Sequence, residues 1–190
     1  MSVRKIIRMG HPNLRRAARE LTMDEIGSDV VHRLVADMID TLHDYGGIGL
    51  AAPQVNESIR VAIVEVEGGV SRYGELEHVP LTVCVNPKIE IVDDTAAGYW
   101  EGCLSVPGLR GYVERPQHVR VTYLDMHGEQ QELEAKGFLA TVFQHEFDHL
   151  DGRLYVDHIC DPSKLVFEEE YVRYVMPMED MPTEEPASPA

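Results

Sequence analysis

The sequence predicts an α+β fold, with curved antiparallel β-sheets packed around a central helix that carries a His-Glu-x-x-His motif. Two observations predict this class. One amphipathic helix is followed by several short β-branched segments, and a second helix, the one with the histidines, comes after them. Strands that succeed one another without intervening helices favour antiparallel pairing over a βαβ arrangement.

The first helix is predicted over residues 28–45. Its apolar residues recur at spacings of three and four, which places them on one face of a helix. These residues are Val30, Val31, Leu34, Val35, Met38, Ile39 and Leu42. Gly46 and Gly47 follow them, and glycine is common just past the end of a helix.

Short β-branched runs next predict four strands, over residues 59–66, 81–85, 89–92 and 119–124. His127-Gly128 predicts a hairpin turn between the last of these strands and a further one over residues 131–135. A second helix is predicted over residues 137–150 and a third over residues 163–175.

A chain of 190 residues suits one domain, which we place at residues 1–175. Residues 176–190 are acidic and proline-rich and have few large apolar side chains except methionine, so they predict a disordered tail. Acidic residues outnumber basic ones by 33 to 17, giving a net charge of −16. Such a charge argues against nucleic acids and anionic membranes as general partners.

No apolar run is long enough to span a membrane. The three cysteines, Cys84, Cys103 and Cys160, are an odd and sparse set, unlike the paired framework of a small secreted domain. Reduced thiols are typical of the cytoplasm, so we expect a cytoplasmic protein. Cys84 and Cys160 have no functional interpretation.

The second predicted helix carries His145 and His149, four residues apart and therefore on one face. Both imidazoles can bind one metal ion there, and Glu146 can reach a water molecule at that ion. The alternative is a pair of surface histidines on a solvated turn. Nearby apolar residues, including Val142 and Phe147, place the histidines near the buried stripe and favour the metal.

The third metal ligand is open to two interpretations. Cys103 is flanked by Gly102 and by a predicted turn over residues 105–108, which together can present a thiolate. The rival is a glutamate about twenty residues past the histidines, as in zinc peptidases, and residues 168–170 are all glutamate. A solvated helix face is the ordinary explanation of those glutamates, whereas a free buried thiol is the ordinary explanation of a lone cysteine.

A glycine-rich segment over residues 46–54 follows the first predicted helix. Its glycines permit close backbone approach to a ligand, and Gln54 can donate its amide to a developing oxyanion. A phosphate-binding loop is excluded, because no Lys-Ser or Lys-Thr pair follows the glycines.

Three segments resemble the signature motifs of peptide deformylases and occur in the same order. They are Gly47-Ile48-Gly49-Leu50-Ala51-Ala52-Pro53-Gln54, Glu101-Gly102-Cys103-Leu104-Ser105 and Gln144-His145-Glu146-Phe147-Asp148-His149. The similarity begins near Gly10 and runs to about Ile159. This resemblance implies an α+β fold. It also implies removal of the formyl group from the N-terminal formylmethionine of newly made proteins.

The resemblance further implies roles for single residues. Cys103, His145 and His149 match the metal ligands, and Glu146 matches the general base and acid. Gln54 and the backbone amide of Leu104 match the oxyanion donors. The residues that match the substrate pocket are Ile48, Gly49, Gly102 and Arg110. The implied cofactor is one divalent ion, ferrous iron in the cell, with zinc, nickel or cobalt able to replace it.

The implied partners are N-formylmethionyl nascent peptides and, through them, the ribosome. Bacterial relatives are understood to dock on the ribosome through a basic C-terminal helix, whereas this chain has an acidic end, which argues against such docking. Asn56 also departs from the family, in which glycine is commoner at that position. Two alternatives to a deformylase are a non-catalytic relative stabilised by the metal and a zinc endopeptidase.

Overall fold

A computed structural model of the protein describes residues 2–71, 74–76 and 78–176. The α-helices in these residues are α1 (Met23–Ile26), α2 (Asp29–Tyr45), α3 (Phe138–Leu150) and α4 (Glu168–Glu170), and α4 continues as a π-helical turn, Tyr171–Val175. Short 3₁₀ helices cover Pro12–Arg15, Ala52–Val55, Tyr155–His158 and Pro162–Lys164.

Eight strands are present in the described residues. They are β1 (Gly49–Ala51), β2 (Val61–Val66), β3 (Gly69–Ser71), β4 (Gly74–Leu76), β5 (Val79–Cys103), β6 (Val106–Leu124), β7 (Gln130–Lys136) and β8 (Leu165–Phe167). The main sheet has the order β1-β2-β5-β6-β7, with β8 also paired to β6, and β3 pairs with β4 in a separate ribbon. Every one of these strand pairs is antiparallel. The α+β class is therefore confirmed.

Helix α2 begins and ends as its sequence predicts. Ser28 is the N-cap, and its hydroxyl oxygen accepts a hydrogen bond from the amide of Val31 at 3.3 Å. Gly46 ends the helix in a left-handed conformation with φ of 65°, which glycine adopts without strain. The apolar face of α2 packs into one hydrophobic cluster with β1 and β2, through Leu34, Met38, Leu42, Leu50 and Ile63.

Helix α3 packs into a second cluster on the main sheet. Its buried residues Val142, Phe143 and Phe147 lie with Val119 and Val121 of β6. Burial of each such side chain stabilises the fold by about 1.5–3 kcal/mol. The apolar stripe therefore fixes which face of α3 meets the sheet, and with it the direction of the remaining side chains.

Several predicted elements differ from the observed ones. The two strands predicted over residues 81–85 and 89–92 form one strand, β5. Asn86 lies between them in a left-handed conformation (φ of 49°), and the pairing with β6 is irregular there but continues beyond it. The turn predicted over residues 105–108 is shorter, since β6 already begins at Val106. The third helix begins at Glu168 and not at residue 163, because β8 pairs with Leu109–Gly111 of β6.

No helix within the described ranges combines the length and the apolar character that a membrane span requires. The predicted disordered tail, apart from Met176, falls outside the described residues.

Candidate metal centre and active site

Helix α3 carries His145, Glu146 and His149. The two imidazole rings are one helical turn apart, with their centroids 5.1 Å from each other. Glu146 and His149 are buried, and His145 is half-buried. The two histidines thus lie side by side on α3, next to its buried apolar residues Val142 and Phe147.

Cys103 approaches these histidines from the tight turn between β5 and β6. Leu104 and Ser105 form the turn, and Cys103 pairs with Val106 across it. The Cys103 sulfur lies 3.3 Å from Nε2 of His149. The potential ligand atoms of Cys103, His145 and His149 all lie within 4.8 Å of one another.

The chemistry of this donor set fits a divalent transition metal. Burial by itself raises the pKa of the Cys103 thiol, but His149 and His145 outweigh it through their charges and hydrogen bonds, and the pKa falls to about 5. Cys103 is therefore a thiolate at neutral pH, the form that binds metals. One thiolate with two imidazoles suits iron, zinc, nickel and cobalt alike.

The rival glutamate ligands lie elsewhere. The carboxylate of Glu168 accepts two hydrogen bonds from Arg110, and Glu169 and Glu170 are exposed. The group of potential metal ligands in the described residues contains Cys103 and neither of these glutamates nor Glu168. The structure thus favours the thiolate over a peptidase-type carboxylate.

A buried network of charges orients His145. Its Nδ1 lies 2.7 Å from a carboxylate oxygen of Glu101, so that Nε2 faces Cys103 and His149. The Arg115 guanidinium donates to both oxygens of Glu101, at 2.6 and 3.1 Å, and to Asp148 at 2.7 Å. Burial would raise the pKa of Glu101, but His145 and Arg115 outweigh burial and lower it.

This network and one ring contact were missed in the sequence. Glu101 belongs to the quoted second motif, yet its carboxylate received no role, and nothing in the sequence pairs Arg115 with it across 14 residues. Tyr155 stacks on His145, with ring centroids 6.0 Å apart and an interplanar angle of 18°. A carboxylate directly before a Gly-Cys ligand segment was the signal available for Glu101.

Gln54 is held with its amide directed at Cys103, one of the candidate metal ligands. Its Oε1 accepts a hydrogen bond from the backbone amide of Ala51 at 2.8 Å, which fixes the side chain. Its Nε2 then lies 3.5 Å from the Cys103 sulfur and 3.4 Å from the Ser105 hydroxyl. Leu104, in the turn, lines the same cleft.

Glu146 is a buried carboxylate with an oxygen that is available to accept further hydrogen bonds. Its Oε2 has no hydrogen-bond partner among the described residues. Burial raises the pKa of Glu146 to about 7, although His145 and His149 act in the opposite direction. Gly49 leaves room for it, because a Cβ atom at Gly49 would lie 2.5 Å from Glu146 Oε1.

A cleft of about 510 Å³ opens onto these groups. The four predicted pocket residues, Ile48, Gly49, Gly102 and Arg110, all line it. Phe138 and Thr141 of α3, which the sequence did not single out, line it as well, and so does Val142 of the predicted apolar stripe. The structure therefore brings the ten predicted site residues to one place.

The departure at Asn56 has a backbone explanation. Asn56 ends the 3₁₀ helix after Gln54 with φ of 68° and ψ of 24°, a left-handed conformation. Glycine adopts this conformation most readily, and asparagine is among the few other residues that tolerate it. The substitution thus preserves the turn that follows Gln54.

Comparison with known proteins agrees with this geometry. The family model described as polypeptide deformylase matches residues 3–165. A peptide deformylase of Cellvibrio japonicus is 45% identical over 159 residues, 84% of this chain and 88% of the relative. Another, of Leptospira biflexa, is 38% identical over 170 residues, 90% of this chain and 95% of the relative.

A solved structure is also similar. The Met-Ala-Ser-bound crystal structure of a class I type b peptide deformylase from Acinetobacter baumannii superposes with a TM-score of 0.79 at 39% identity. It covers 84% of this chain and 100% of that chain. The resemblance predicted from the three motifs is therefore confirmed. The chain belongs to the peptide deformylase family.

Proposed function

We propose that this chain removes the formyl group from the N-terminal formylmethionine of newly made proteins and releases formate. The observation that carries the proposal is the meeting of the Cys103, His145 and His149 ligand atoms beside the buried carboxylate of Glu146. A purely structural metal site does not require such a carboxylate, since burial of a carboxylate that is not fully hydrogen-bonded is costly. The Met-Ala-Ser peptide named with the Acinetobacter baumannii relative supports a peptide ligand.

Cys103, His145 and His149 would hold one divalent ion, ferrous iron in the cell, and zinc, nickel or cobalt could replace it. When bound, the ion supplies Lewis acidity, which polarises the formyl carbonyl and makes water a better nucleophile. Three protein ligands leave a coordination position open for that chemistry. Glu101 keeps the tautomer of His145 fixed by hydrogen bonding to its Nδ1.

Glu146 acts as the general base and then the general acid. As a carboxylate it accepts a proton from the water that attacks the formyl carbon. It then returns the proton to the departing methionine nitrogen, which leaves as a free amine. A pKa raised by burial to about 7 suits a group that must both accept and donate at neutral pH.

Gln54 and the turn that contains Leu104 stabilise the transition state. Negative charge develops on the formyl oxygen as water attacks. The Gln54 amide, held by Ala51, is one donor for that oxygen, and the backbone amide of Leu104 is the other. One preorganised donor of this kind contributes about 3 kcal/mol to transition-state stabilisation.

The cleft positions the peptide. Ile48 and Val142 offer an apolar surface for the methionine side chain. Gly49 and Gly102 also line the cleft, and their missing side chains leave space for Glu146 and Arg110. Residues 1–175 would form this catalytic domain. Nascent peptides place the reaction in the cytoplasm, and any ribosome contact would use a surface other than the acidic C-terminal end.

The test is formate release from formyl-Met-Ala-Ser by protein loaded anaerobically with ferrous iron. Formate and free methionyl amine in equal amounts support the proposal. Cleavage of internal peptide bonds in an unformylated peptide would instead favour an endopeptidase. Metal binding without turnover of any formylated peptide would favour the non-catalytic relative.

A further inference from the structure

A buried serine, Ser105, lies next to the side-chain amide of Gln54. Ser105 is 0% exposed, although its hydroxyl is polar, and Gln54 is 2% exposed. Nε2 of Gln54 donates a hydrogen bond to the Ser105 hydroxyl oxygen at 3.4 Å. Because both groups are buried, water does not readily replace this contact, and losing it is costly.

The orientation of the Gln54 amide is determined at both of its ends. Oε1 accepts a hydrogen bond from the Ala51 backbone amide at 2.8 Å, and only the oxygen end of the amide can accept one. Nε2 therefore points the other way, toward Ser105 and Cys103. The Ala51 amide and the Ser105 hydroxyl thus restrict rotation of the side-chain amide between them.

The Gln54 nitrogen carries two hydrogens, and the proposed reaction uses them differently. One hydrogen must be free to reach the formyl oxygen in the cleft. The second needs an acceptor within the protein, because an unpaired buried N–H is unfavourable. The acceptors near Nε2 in the described contacts are the Ser105 oxygen and the Cys103 sulfur. Since the sulfur is a candidate metal ligand, the serine oxygen is better suited to a lasting contact.

Backbone contacts keep Ser105 close to Gln54. The amide of Met9 donates to the Ser105 carbonyl at 2.7 Å, and the amide of Ile7 donates to the Gln54 carbonyl at 2.9 Å. The N-terminal segment thus joins the turn that contains Ser105 to the 3₁₀ helix that contains Gln54. The serine hydroxyl is therefore presented to the amide from a fixed backbone.

We propose that Ser105 is a positioning residue for the oxyanion donor Gln54. Its hydroxyl accepts one hydrogen of the Gln54 amide and so keeps the other directed at the formyl oxygen. Ser105 itself does not contact the formyl group. This role rests on the proposed deformylation, in which Gln54 is a donor to that oxygen.

A double-mutant cycle tests whether Ser105 acts through Gln54. The four proteins are the wild type, Ser105→Ala, Gln54→Ala and the double variant, each loaded anaerobically with ferrous iron. The measured quantities are kcat and KM for formyl-Met-Ala-Ser and the bound metal per chain. Thr41→Val is the control, because it removes another buried hydroxyl, on α2, whose partners are backbone atoms of Asp37 and Arg4.

We expect Ser105→Ala to lower kcat about tenfold in the wild-type background, the contribution of one hydrogen bond, with KM and bound metal unchanged. In the Gln54→Ala background the same substitution should change kcat less than about twofold, because the amide it acts through is already absent. Gln54→Ala alone should lower kcat about a hundred- to a thousandfold. Thr41→Val should keep the wild-type kcat.

Hydrogen exchange of the Gln54 side-chain amide measures the same contact without turnover. The amide is observed by proton–nitrogen NMR of zinc-loaded protein, and its signal is assigned by its absence in Gln54→Ala. We expect its hydrogens to exchange with solvent about tenfold faster in Ser105→Ala than in the wild type. The exchange rate in Thr41→Val should equal the wild-type rate.

An unchanged kcat or an unchanged exchange rate in Ser105→Ala would overturn this role of Ser105. An equal loss of kcat in both backgrounds would overturn it too, since the effect would then be independent of Gln54. Wild-type protein that releases no formate would contradict the proposed function instead. Amide exchange would still decide whether Ser105 holds Gln54, so the two failures differ.

Discussion

Glu146 combines deep burial, a raised pKa and an oxygen that lacks a hydrogen-bond partner among the described residues. Such surroundings suit a group that transfers protons, because they leave its lone pairs available to water and substrate. None of the three candidate metal ligands depends on it for a hydrogen bond in the described contacts. Its role can therefore be separated from metal binding by substitution.

Glu146→Ala should keep the metal and lose turnover. We expect kcat to fall about a hundred- to ten-thousand-fold, the usual contribution of general acid–base catalysis. The measurement is formate release together with bound metal per chain, by elemental analysis. Undiminished deformylation would remove Glu146 from the mechanism, and loss of the metal would make it a structural residue.

Gly49→Ala tests the space reserved for Glu146. The new Cβ atom would lie 2.5 Å from Glu146 Oε1 and 2.7 Å from its Cδ, so the carboxylate must move. A displacement of about 1 Å at a reacting group can cost about a hundredfold in rate, and we expect a fall in kcat of that order.

Gly27→Ala is the matched control, because nothing lies within 4 Å of a Cβ atom there and φ is −75°. Its kcat should equal the wild-type value. A Gly49→Ala enzyme that is as fast as the Gly27→Ala enzyme would show that Glu146 does not need its observed position.

At the scale of single residues, the sequence was sufficient to identify the candidate site residues. Spacing of four on a helix was enough to place His145 beside His149, and the order of the motifs supplied Cys103 and Gln54. The partner of Glu101 was not predictable, because pairing with Arg115 depends on the register of β5 against β6. Local patterns do not determine that register.

At the scale of elements, the β5–β6 pair and α3 hold the site together through Arg115. Its guanidinium joins Glu101, at the end of β5, to Asp148, on α3, and its side chain is only 5% exposed. Removing one partner of a buried ion pair leaves the other charges uncompensated, which is strongly destabilising. The elements that carry the candidate metal ligands should therefore loosen together.

Arg115→Met should lower the free energy of unfolding by about 3–5 kcal/mol and weaken metal binding. Urea unfolding of metal-free and metal-loaded protein measures both effects. Arg120→Met is the control, since Arg120 has three carboxylate neighbours but lies on the exposed side of the sheet. If the two variants unfold at the same urea concentration, the Arg115 network does not support the site.

The third predicted helix shows where local patterns fail. Residues 163–175 have helical spacing, but the first of them form a 3₁₀ turn and the strand β8. Leu109–Gly111 of β6 pair with β8, and a local sequence pattern cannot show that a distant strand offers these hydrogen bonds. The predicted strands were shorter than the observed β5 and β6 for the same reason. Pairing between these two strands continues through polar residues, which the local pattern does not predict to be in a strand.

At the scale of the whole molecule, some of the many acidic residues form ion pairs and hydrogen bonds that stabilise the fold. Burial would raise the pKa of Asp148 and Asp157, but hydrogen bonds and charges outweigh it and lower both values. The partners are His158 and Arg115 for Asp148, and Arg15 for Asp157. Both carboxylates are thus more acidic in the folded chain than in the unfolded one.

Stability should consequently fall in acid. A carboxyl whose pKa is lower when folded contributes its full stabilisation above its unfolded pKa of about 4, and the contribution disappears as pH drops through the folded pKa. We expect the free energy of unfolding to decrease steadily below about pH 4, by urea titration of metal-free protein. Asp148→Asn should flatten the decrease, and a profile that rises toward low pH would contradict this account.

The claim that the ligand set and Glu146 form one catalytic centre has a direct test. Metal-free protein is titrated anaerobically with ferrous iron while formate release from formyl-Met-Ala-Ser is recorded, with Cys103→Ala alongside. We predict that activity rises linearly to a break at about one equivalent per chain, and that the variant shows neither tight binding nor activity. Full activity without metal, or an unaltered titration of Cys103→Ala, would contradict the assignment of this centre.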